Sequence, residues 1–498
     1  MMLAPPKGNS KSSQLAANVI KLVGGTTVAQ ILTILTAPLI SRLYKPSAVG
    51  TTGLFVSMIV ILNVIVCLRY EQAIMLPKED SEGANLYIVS LLIALMMSGL
   101  TLVIVLIGKN LIPSFLNAPE IAPYLWLIPI AVLIQGIFLA TNLWNSRSKL
   151  FGRLSIARVA ASFSTSVFPI LLAFMGYANA TGLIVSYMLG TTIFTLVLFG
   201  QVILESWPIF RQEITTTRIK TAVKRYRKFP LFDAWGALVN TLSWQLPTIM
   251  LSIFFSQMDV GHYSMANRVL LLPMTLIGNA IAQVFFQQAS ETYASTGSIT
   301  KPVEMVFQRL VAISLPLAIL LTLFGPRIFF IVLGAQWEIA GVYAQILAPW
   351  MFFLFIASPI SSVFSILEKQ EQALFVHITI LITRAISLLI GGMLGDIKIA
   401  LILWTASGII VYGALAVWNM NIASVQWVFI TRVMGRYLTI GFGYGLVLYL
   451  LEKWLQINSW STLMIAAGLT AIYYLWVLRS DAGLYGYLNE IIRRRIVK

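Results

Sequence analysis

Five basic residues stand inside the long apolar stretches of this chain: Lys21, Arg158, Arg268, Arg309 and Arg384. An arginine at the centre of a bilayer costs about 3 kcal/mol or more. Such a residue must therefore face other helices, a water-filled cavity or an anionic ligand. Lys21 lies about 9 Å into its span by helical rise, and Arg268 about as deep from the opposite side. Arg384 is near the middle of its span, seven residues after His377 and on the same helical face. No acidic residue sits deep enough to neutralise all three. The chemistry open to this set is capture of an anion by charge-assisted hydrogen bonds. Arg158 and Arg309 begin their spans and are positioned to snorkel to the headgroups. Arg158 also shares a face with Ser162, Thr165 and Pro169, which would extend a polar surface.

Residues 229–290 carry the densest polar pattern within two apolar spans. Asp233, Asn240 and Trp244 fall on one face of the first; Arg268, Thr275, Asn279 and Gln283, spaced by 7, 4 and 4, fall on one face of the second. The pair reads as the wall of a polar pathway, and Lys21, Arg158, Arg268, Asn279 and Arg384 as its substrate-binding residues. Asp233 and His377 are the candidates for gating or coupling. Asp233 is expected to meet Lys21 when one side closes. His377 titrates near neutrality in its reference state, against the plainer reading of a histidine satisfied between helices. Trp244 is deep enough to offer a stacking face to a ligand, whereas most other tryptophans lie near span ends, where an interfacial belt explains them.

The elements that must position these residues follow from composition. Of 498 residues, 58% are hydrophobic and 10% charged, with mean hydropathy +0.86; a soluble chain carries about 25% charged residues. The apolar runs have the length of a membrane-spanning helix, and the alternating strands of a transmembrane barrel are absent. The fold class is an all-α polytopic membrane protein with about fourteen spans, from 15–40 to 459–479. With both termini cytoplasmic, 23 of the 34 Lys and Arg fall in inner segments and 6 in outer ones, as the positive-inside rule requires. That topology explains the net charge of +16 without nucleic acid. The first helix reads as an uncleaved anchor. One cysteine, Cys67, excludes an internal disulfide. There is no P-loop and no Cys/His cluster, so no catalytic residue, metal or cofactor is assigned; membrane potential, H+ and Na+ remain open as energy sources.

The two halves look related. A shift of 211 residues pairs Gly25 with Gly236, Leu35 with Leu246, Ser41 with Ser252, Val49-Gly50 with Val260-Gly261, and Gln72 with Gln283. Both repeats start on the same side, which implies a parallel repeat about an axis along the membrane normal. The expected organisation is an N-terminal six-helix lobe at 1–202, a basic cytoplasmic linker at 203–230, a C-terminal six-helix lobe at 231–420, and two further helices with a basic tail at 421–498. The linker, with its run TRIKTAVKRYRKF, reads as an interfacial helix held by anionic lipid or as a docking segment.

Several stretches resemble one family: Tyr44-Lys-Pro-Ser-Ala-Val-Gly50, Arg69-Tyr-Glu-Gln-Ala-Ile-Met-Leu-Pro77, Ala266-Asn-Arg-Val-Leu-Leu-Leu-Pro273, Gln283-Val-Phe-Phe-Gln-Gln-Ala-Ser290, and Gly325-Pro326 with Gly334-Ala-Gln-Trp337 and Ala340-Gly341. Their order and spacing are similar to the Wzx-type polysaccharide flippases, in the superfamily that also holds lipid II flippases and multidrug and toxin extruders. The resemblance implies a two-lobed alternating-access transporter with a cationic lumen in a bacterial inner membrane. Its implied cargo is an undecaprenyl-pyrophosphate-linked oligosaccharide, moved to the periplasmic leaflet for O-antigen, capsule or exopolysaccharide. Implied partners are membrane lipids, a polysaccharide polymerase and a chain-length regulator. A cation-coupled drug extruder of the same superfamily is the alternative, but it would want intramembrane carboxylates where this chain has bases. A polymerase or ligase would need a large periplasmic loop, which the chain lacks.

Overall fold

Backbone that crosses hydrocarbon must satisfy its own hydrogen bonds, which leaves helices as the solution for an apolar chain of this kind. The computed structural model describes residues 29–455 and 459–480, and the regular structure among them is helical. In chain order the helices are α1 Ala29–Leu43, α2 Pro46–Ile65, α3 Tyr70–Ala73, α4 Asp80–Gly108, α5 Leu111–Phe115, α6 Leu127–Arg147, α7 Phe151–Phe174, α8 Ala180–Glu213, α9 Thr216–Arg225 and α10 Ala234–Phe254. They continue as α11 Gln257–Pro273, α12 Asn279–Thr296, α13 Thr300–Leu333, α14 Glu338–Ile360, α15 Val363–Ile366, α16 Gln370–Met393, α17 Ile397–Ile422, α18 Trp427–Leu455 and α19 Ser459–Ser480. Among the described residues, twelve helical segments are long and apolar enough to cross a membrane. Two shorter apolar helices, Ala29–Leu43 and Leu463–Arg479, lie where the first and last of the fourteen expected spans fall.

Local sequence sets several boundaries. Pro46 opens α2, where a missing N–H costs nothing. Asn179 Oδ1 accepts from Gly182 N at the start of α8, and Asp396 Oδ1 accepts from Lys398 N at 2.7 Å at the start of α17.

Close packing divides the chain into two units, Met1–Ser264 and Met265–Lys498. The first holds a core of Leu54, Phe55, Ile59, Ile128 and Ile184, against which Ile249 and Ile253 of α10 pack. A second core in that unit joins Tyr70, Tyr87, Trp144 and Phe210 to Ala222 and Tyr226 of the linker. The linker is thus held by the fold: Tyr70 Oη donates to Val223 O at 3.1 Å, Asn85 Nδ2 donates to Glu213 O at 3.0 Å, and Arg225 pairs with Glu82 at 2.8 Å. Its other face leaves Arg218, Lys220, Lys224, Arg227 and Lys228 exposed. In the second unit α13 packs on α14 and α14 on α17, and Phe324 of α13 meets Leu448 of α18 and Ala466 of α19.

Two helix crossings depend on glycine. A Cβ on Gly325 would sit 2.5 Å from Gly341 O, and one on Gly341 2.5 Å from Gly325 O, where α13 crosses α14. At the second crossing, between α2 and α11, a Cβ on Gly50 would sit 1.9 Å from Gln257 O, and one on Gly261 1.8 Å from Pro46 O. These last contacts are images of each other. The 211-residue shift that pairs Gly50 with Gly261 also pairs Pro46 with Gln257. A local two-fold axis therefore passes between the glycines.

Each of Gly50→Ala and Gly261→Ala forces these backbones apart and lowers stability by at least about 1–3 kcal/mol. Because either change alone separates the helices, the double variant loses less than the sum. Thermal unfolding of the four proteins in detergent checks both statements.

Candidate functional site

The polar face selected on α11 and α12 is accessible along its length: Arg268, Thr275, Asn279 and Gln283 are all exposed. The two helices run on through a π turn, Met274–Gly278, where Asn279 N–H donates to Met274 O. Pro273 precedes this turn and has no N–H to donate, and the backbone widens beside it. A π turn inserts one residue into the helix. Thr275 and Asn279 therefore do not stack as their four-residue spacing predicts, and the polar stripe bends between Arg268 and Asn279.

Arg384 is 2% exposed. Its guanidinium lies 5.5 Å from the Trp404 ring and 5.9 Å from the Trp350 ring, and Nη2 donates to Tyr412 Oη at 3.5 Å. Two ring faces meet the charge. Gly408 leaves the room that Trp350 fills, since a Cβ there would lie 2.2 Å from the indole. His377, two turns earlier on α16, is exposed. The helical face they share is covered at its arginine end, by Trp350 of α14 and Trp404 of α17, and open at its histidine end.

Arg158 is half-buried on α7. The face it shares with Ser162 and Pro169 meets the first helix and its end: Ser162 Oγ donates to Ala29 O at 2.6 Å, and Tyr44 Oη donates to Pro169 O at 2.6 Å. Trp244 is half-buried and Asn240 exposed on α10. Lys21 lies outside the described residues.

Asp233 closes a π turn, Phe229–Asp233, that leads into α10. Its partner is Arg69, whose Nε donates to Asp233 Oδ2 at 2.7 Å. Arg69 Nη1 also stands 3.8 Å from Glu71 Oε1. Glu71 is 2% exposed, and its Oε2 has no hydrogen-bond partner among the described residues. One guanidinium thus lies between two carboxylates, close to the exposed one and distant from the buried one. The backbone that aims it is unusual: Leu68 and Arg69 have φ of +48° and +66°, a left-handed conformation that non-glycine residues keep only under constraint. Burial pushes the Glu71 carboxyl up from 4.5 to about 7, with Asp233 adding to the rise and a backbone hydrogen bond and Arg69 opposing it. Sequence reading passed over Glu71. The available signal was a carboxylate beside Tyr70, Ala73 and Ile74 in the short link between two spans.

The second unit also contains an apolar groove of about 710 Å³ between α13, α14 and α18, lined by Leu315, Ile319, Phe352, Leu438, Phe442 and Tyr449 among others. A narrow cleft shares Ala318 and Phe352 with this groove and reaches Leu270 and Pro273 of α11. The cleft meets α11 on the side of Leu270 and Pro273, while Arg268, two residues before Leu270, points away from it.

A family model described as polysaccharide biosynthesis protein matches residues 39–342. Among solved structures, the chain is similar to the lipid II flippase MurJ in an inward closed conformation, with TM-score 0.72 and 13% identity over 93% of this chain and 99% of that one. It is similar to a multidrug resistance MATE family transporter of the MOP superfamily in an inward-facing conformation, with TM-score 0.62 and 16% identity over 82% and 98%. It also resembles a MOP superfamily transporter from Pyrococcus furiosus, described as having a binding pocket of reverse polarity, with TM-score 0.52 and 15% identity over 83% and 95%. No curated protein sequence matches. These identities show a shared fold: an all-helical, multi-pass membrane protein built like MurJ and the MATE transporters.

A raised carboxyl makes the folded state bind more protons than the unfolded state between pH 4.5 and about 7. Stability therefore falls as pH rises through that window, by roughly 3 kcal/mol in all, and is level above it. Glu71→Gln removes the dependence: the variant unfolds at a higher temperature than the parent at pH 8, and the advantage disappears by pH 4.5. Scanning calorimetry of both proteins across that range measures it.

Proposed function

We propose, from the premise that the chain belongs to the polysaccharide biosynthesis protein family, a family of transporters and not of enzymes, that it flips an undecaprenyl-pyrophosphate-linked oligosaccharide from the cytoplasmic to the periplasmic leaflet of a bacterial inner membrane. Both termini are cytoplasmic in this reading, and the cycle is alternating access. The product feeds polysaccharide assembly, with a polymerase and a chain-length regulator downstream.

The observation that carries the reading is that one unit holds both a large apolar groove and an exposed arginine on an apolar span, Arg268. A lipid-linked pyrophosphate has two parts with opposite needs. The prenyl tail wants apolar surface, and the groove of about 710 Å³ offers it. The pyrophosphate wants fixed cations and hydrogen-bond donors, and the exposed Arg268 of α11 and Asn279 of α12 offer those in the same unit. Arg384 adds positive potential in the same unit without needing to touch the ligand, and Arg158 and Lys21 are kept in this reading as substrate-binding residues of the first unit. A cationic drug would be repelled by the same set. Trp244 is the candidate platform for a sugar ring.

Loss of one charge-assisted contact to pyrophosphate costs roughly 1.5–3 kcal/mol. Arg268→Ala is therefore expected to lower surface polysaccharide about 10- to 100-fold at unchanged protein level in the membrane, read by immunoblotting both.

Depletion of the protein tests the reading as a whole. Lipid extracts of depleted cells are expected to accumulate a pyrophosphate-linked oligosaccharide that stays on the cytoplasmic leaflet. Cells that accumulate none and become sensitive to cationic dyes would overturn the assignment in favour of drug extrusion.

A further inference from the structure

The cluster at the foot of α10 has more carboxylates than it has charge to satisfy them. Asp233 takes the short bond from Arg69, 2.7 Å, and Glu71 keeps a 3.8 Å contact although it is the buried one. The other charged groups on the elements packed against α3 are already committed. Asp80 at the start of α4 pairs with Arg147 of α6 at 2.9 Å, and Glu82 pairs with Arg225 at 2.8 Å. Arg147 also donates to Ile74 O at 2.9 Å and Pro77 O at 2.7 Å. Cys67 is a buried thiol, and the Tyr70 and Tyr226 phenols are neutral. Among the described residues, Arg69 and Asp233 are thus the charges that act on Glu71. With all three groups ionised the cluster is negative by one, with the surplus on a carboxylate out of contact with water. A buried charge without full compensation is relieved most cheaply by taking up a proton.

We infer that Glu71 is a proton-binding site, and that its occupancy decides how firmly Arg69 holds Asp233 and with it the start of α10. This rests on the transporter reading for its purpose, because α10 bears Asn240 and Trp244. With a proton on Glu71, Arg69 has one anionic partner and ties residues 68–71 to the π turn at 229–233. Without it, two carboxylates compete for one guanidinium and the tie weakens. The proton enters from water past Arg69 and Asp233, whose side chains are 26% and 48% exposed. The π turn is a segment able to change its hydrogen-bond register, which suits it to move when the tie slackens. Proton uptake on this side is thereby coupled to α10. Titration of the cluster belongs to the group as a whole, and neighbouring charges shift its midpoint.

The test of the site itself needs no transported substrate. Spin labels at cysteines introduced for the exposed Leu76 and Trp235 in the full-length protein, with Cys67 buried, report the distance across the tie from pH 5 to 9. A single short distance is expected at low pH and a broader, longer distribution at high pH, with Glu71→Gln fixed in the short form throughout. Infrared difference spectra of the same samples are expected to show a protonated carboxyl band that is lost near neutrality and is absent in Glu71→Gln. Asp233→Asn moves that midpoint to lower pH and Arg69→Gln moves it to higher pH. A band that titrates in the ordinary carboxylate range, a distance that ignores pH, or a Glu71→Gln protein that still responds to pH overturns the site. If the site titrates and Glu71→Gln nevertheless exports polysaccharide with the parent's pH profile, the coupling is overturned. The distance and infrared readouts use protein and protons alone, so failure of the lipid-linked cargo assignment would not alter them.

Discussion

A charge taken out of water has to be met by another charge, a dipole or an aromatic face, and the polar interior of this protein is organised by how each charge is met. Arg147, 10% exposed, is fully engaged by Asp80 and two backbone carbonyls. Arg384 is met by the rings of Trp350 and Trp404. Arg268 is left accessible beside Thr275 and Asn279. The first two hold helices together and are covered by protein groups, so a ligand could feel their charge but not touch it. An accessible guanidinium on a spanning helix serves a ligand better, because a ligand can supply the missing anion without displacing one already bound.

Glu71 is the inverse case, a buried carboxylate to which the described residues supply too little positive charge. Removing it would simplify the packing, yet the backbone beside it is held in a left-handed conformation that aims Arg69 between Glu71 and Asp233. Strain of that kind persists where the surroundings impose it and is concentrated where a protein must switch. The linker helix α9 lies over the same corner through Tyr70 and Val223, so the basic segment, the charge cluster and the start of α10 form one connected region.

The second requirement is close approach of helices. Where α2 crosses α11, and where α13 crosses α14, the backbones are near enough that no side chain fits between them. In an environment where apolar surface is no more welcome inside than outside, association relies on such packing, and small residues permit it. The symmetry of the Gly50 and Gly261 contact gives the internal repeat a physical meaning: the same local surface is used twice, facing itself.

How far the sequence reaches is clear from particular residues. Apolar run length determined the helices, because a bilayer-length stretch without charge has one low-energy form; the spacing of Arg268, Thr275, Asn279 and Gln283 puts them on one face of a regular helix, and although all four are exposed, so are Leu276, Ile277 and Val284 beside them. The 211-residue shift foretold that Gly50 and Gly261 are equivalent, though not that they touch. Which charge meets which was a matter for the tertiary structure. Asp233 pairs with Arg69, 164 positions away in the chain, while Lys21, which it is expected to meet when one side closes, lies outside the described residues. His377 and Arg384 share a helical face, yet one is open and the other enclosed, because periodicity says which residues share a side of a helix and nothing about what covers it. The π turn after Pro273 bends a stripe that regular periodicity draws straight. Glu71 was invisible in sequence for the same reason: its character comes from burial and from Arg69 and Asp233, and burial is a property of packing between distant segments.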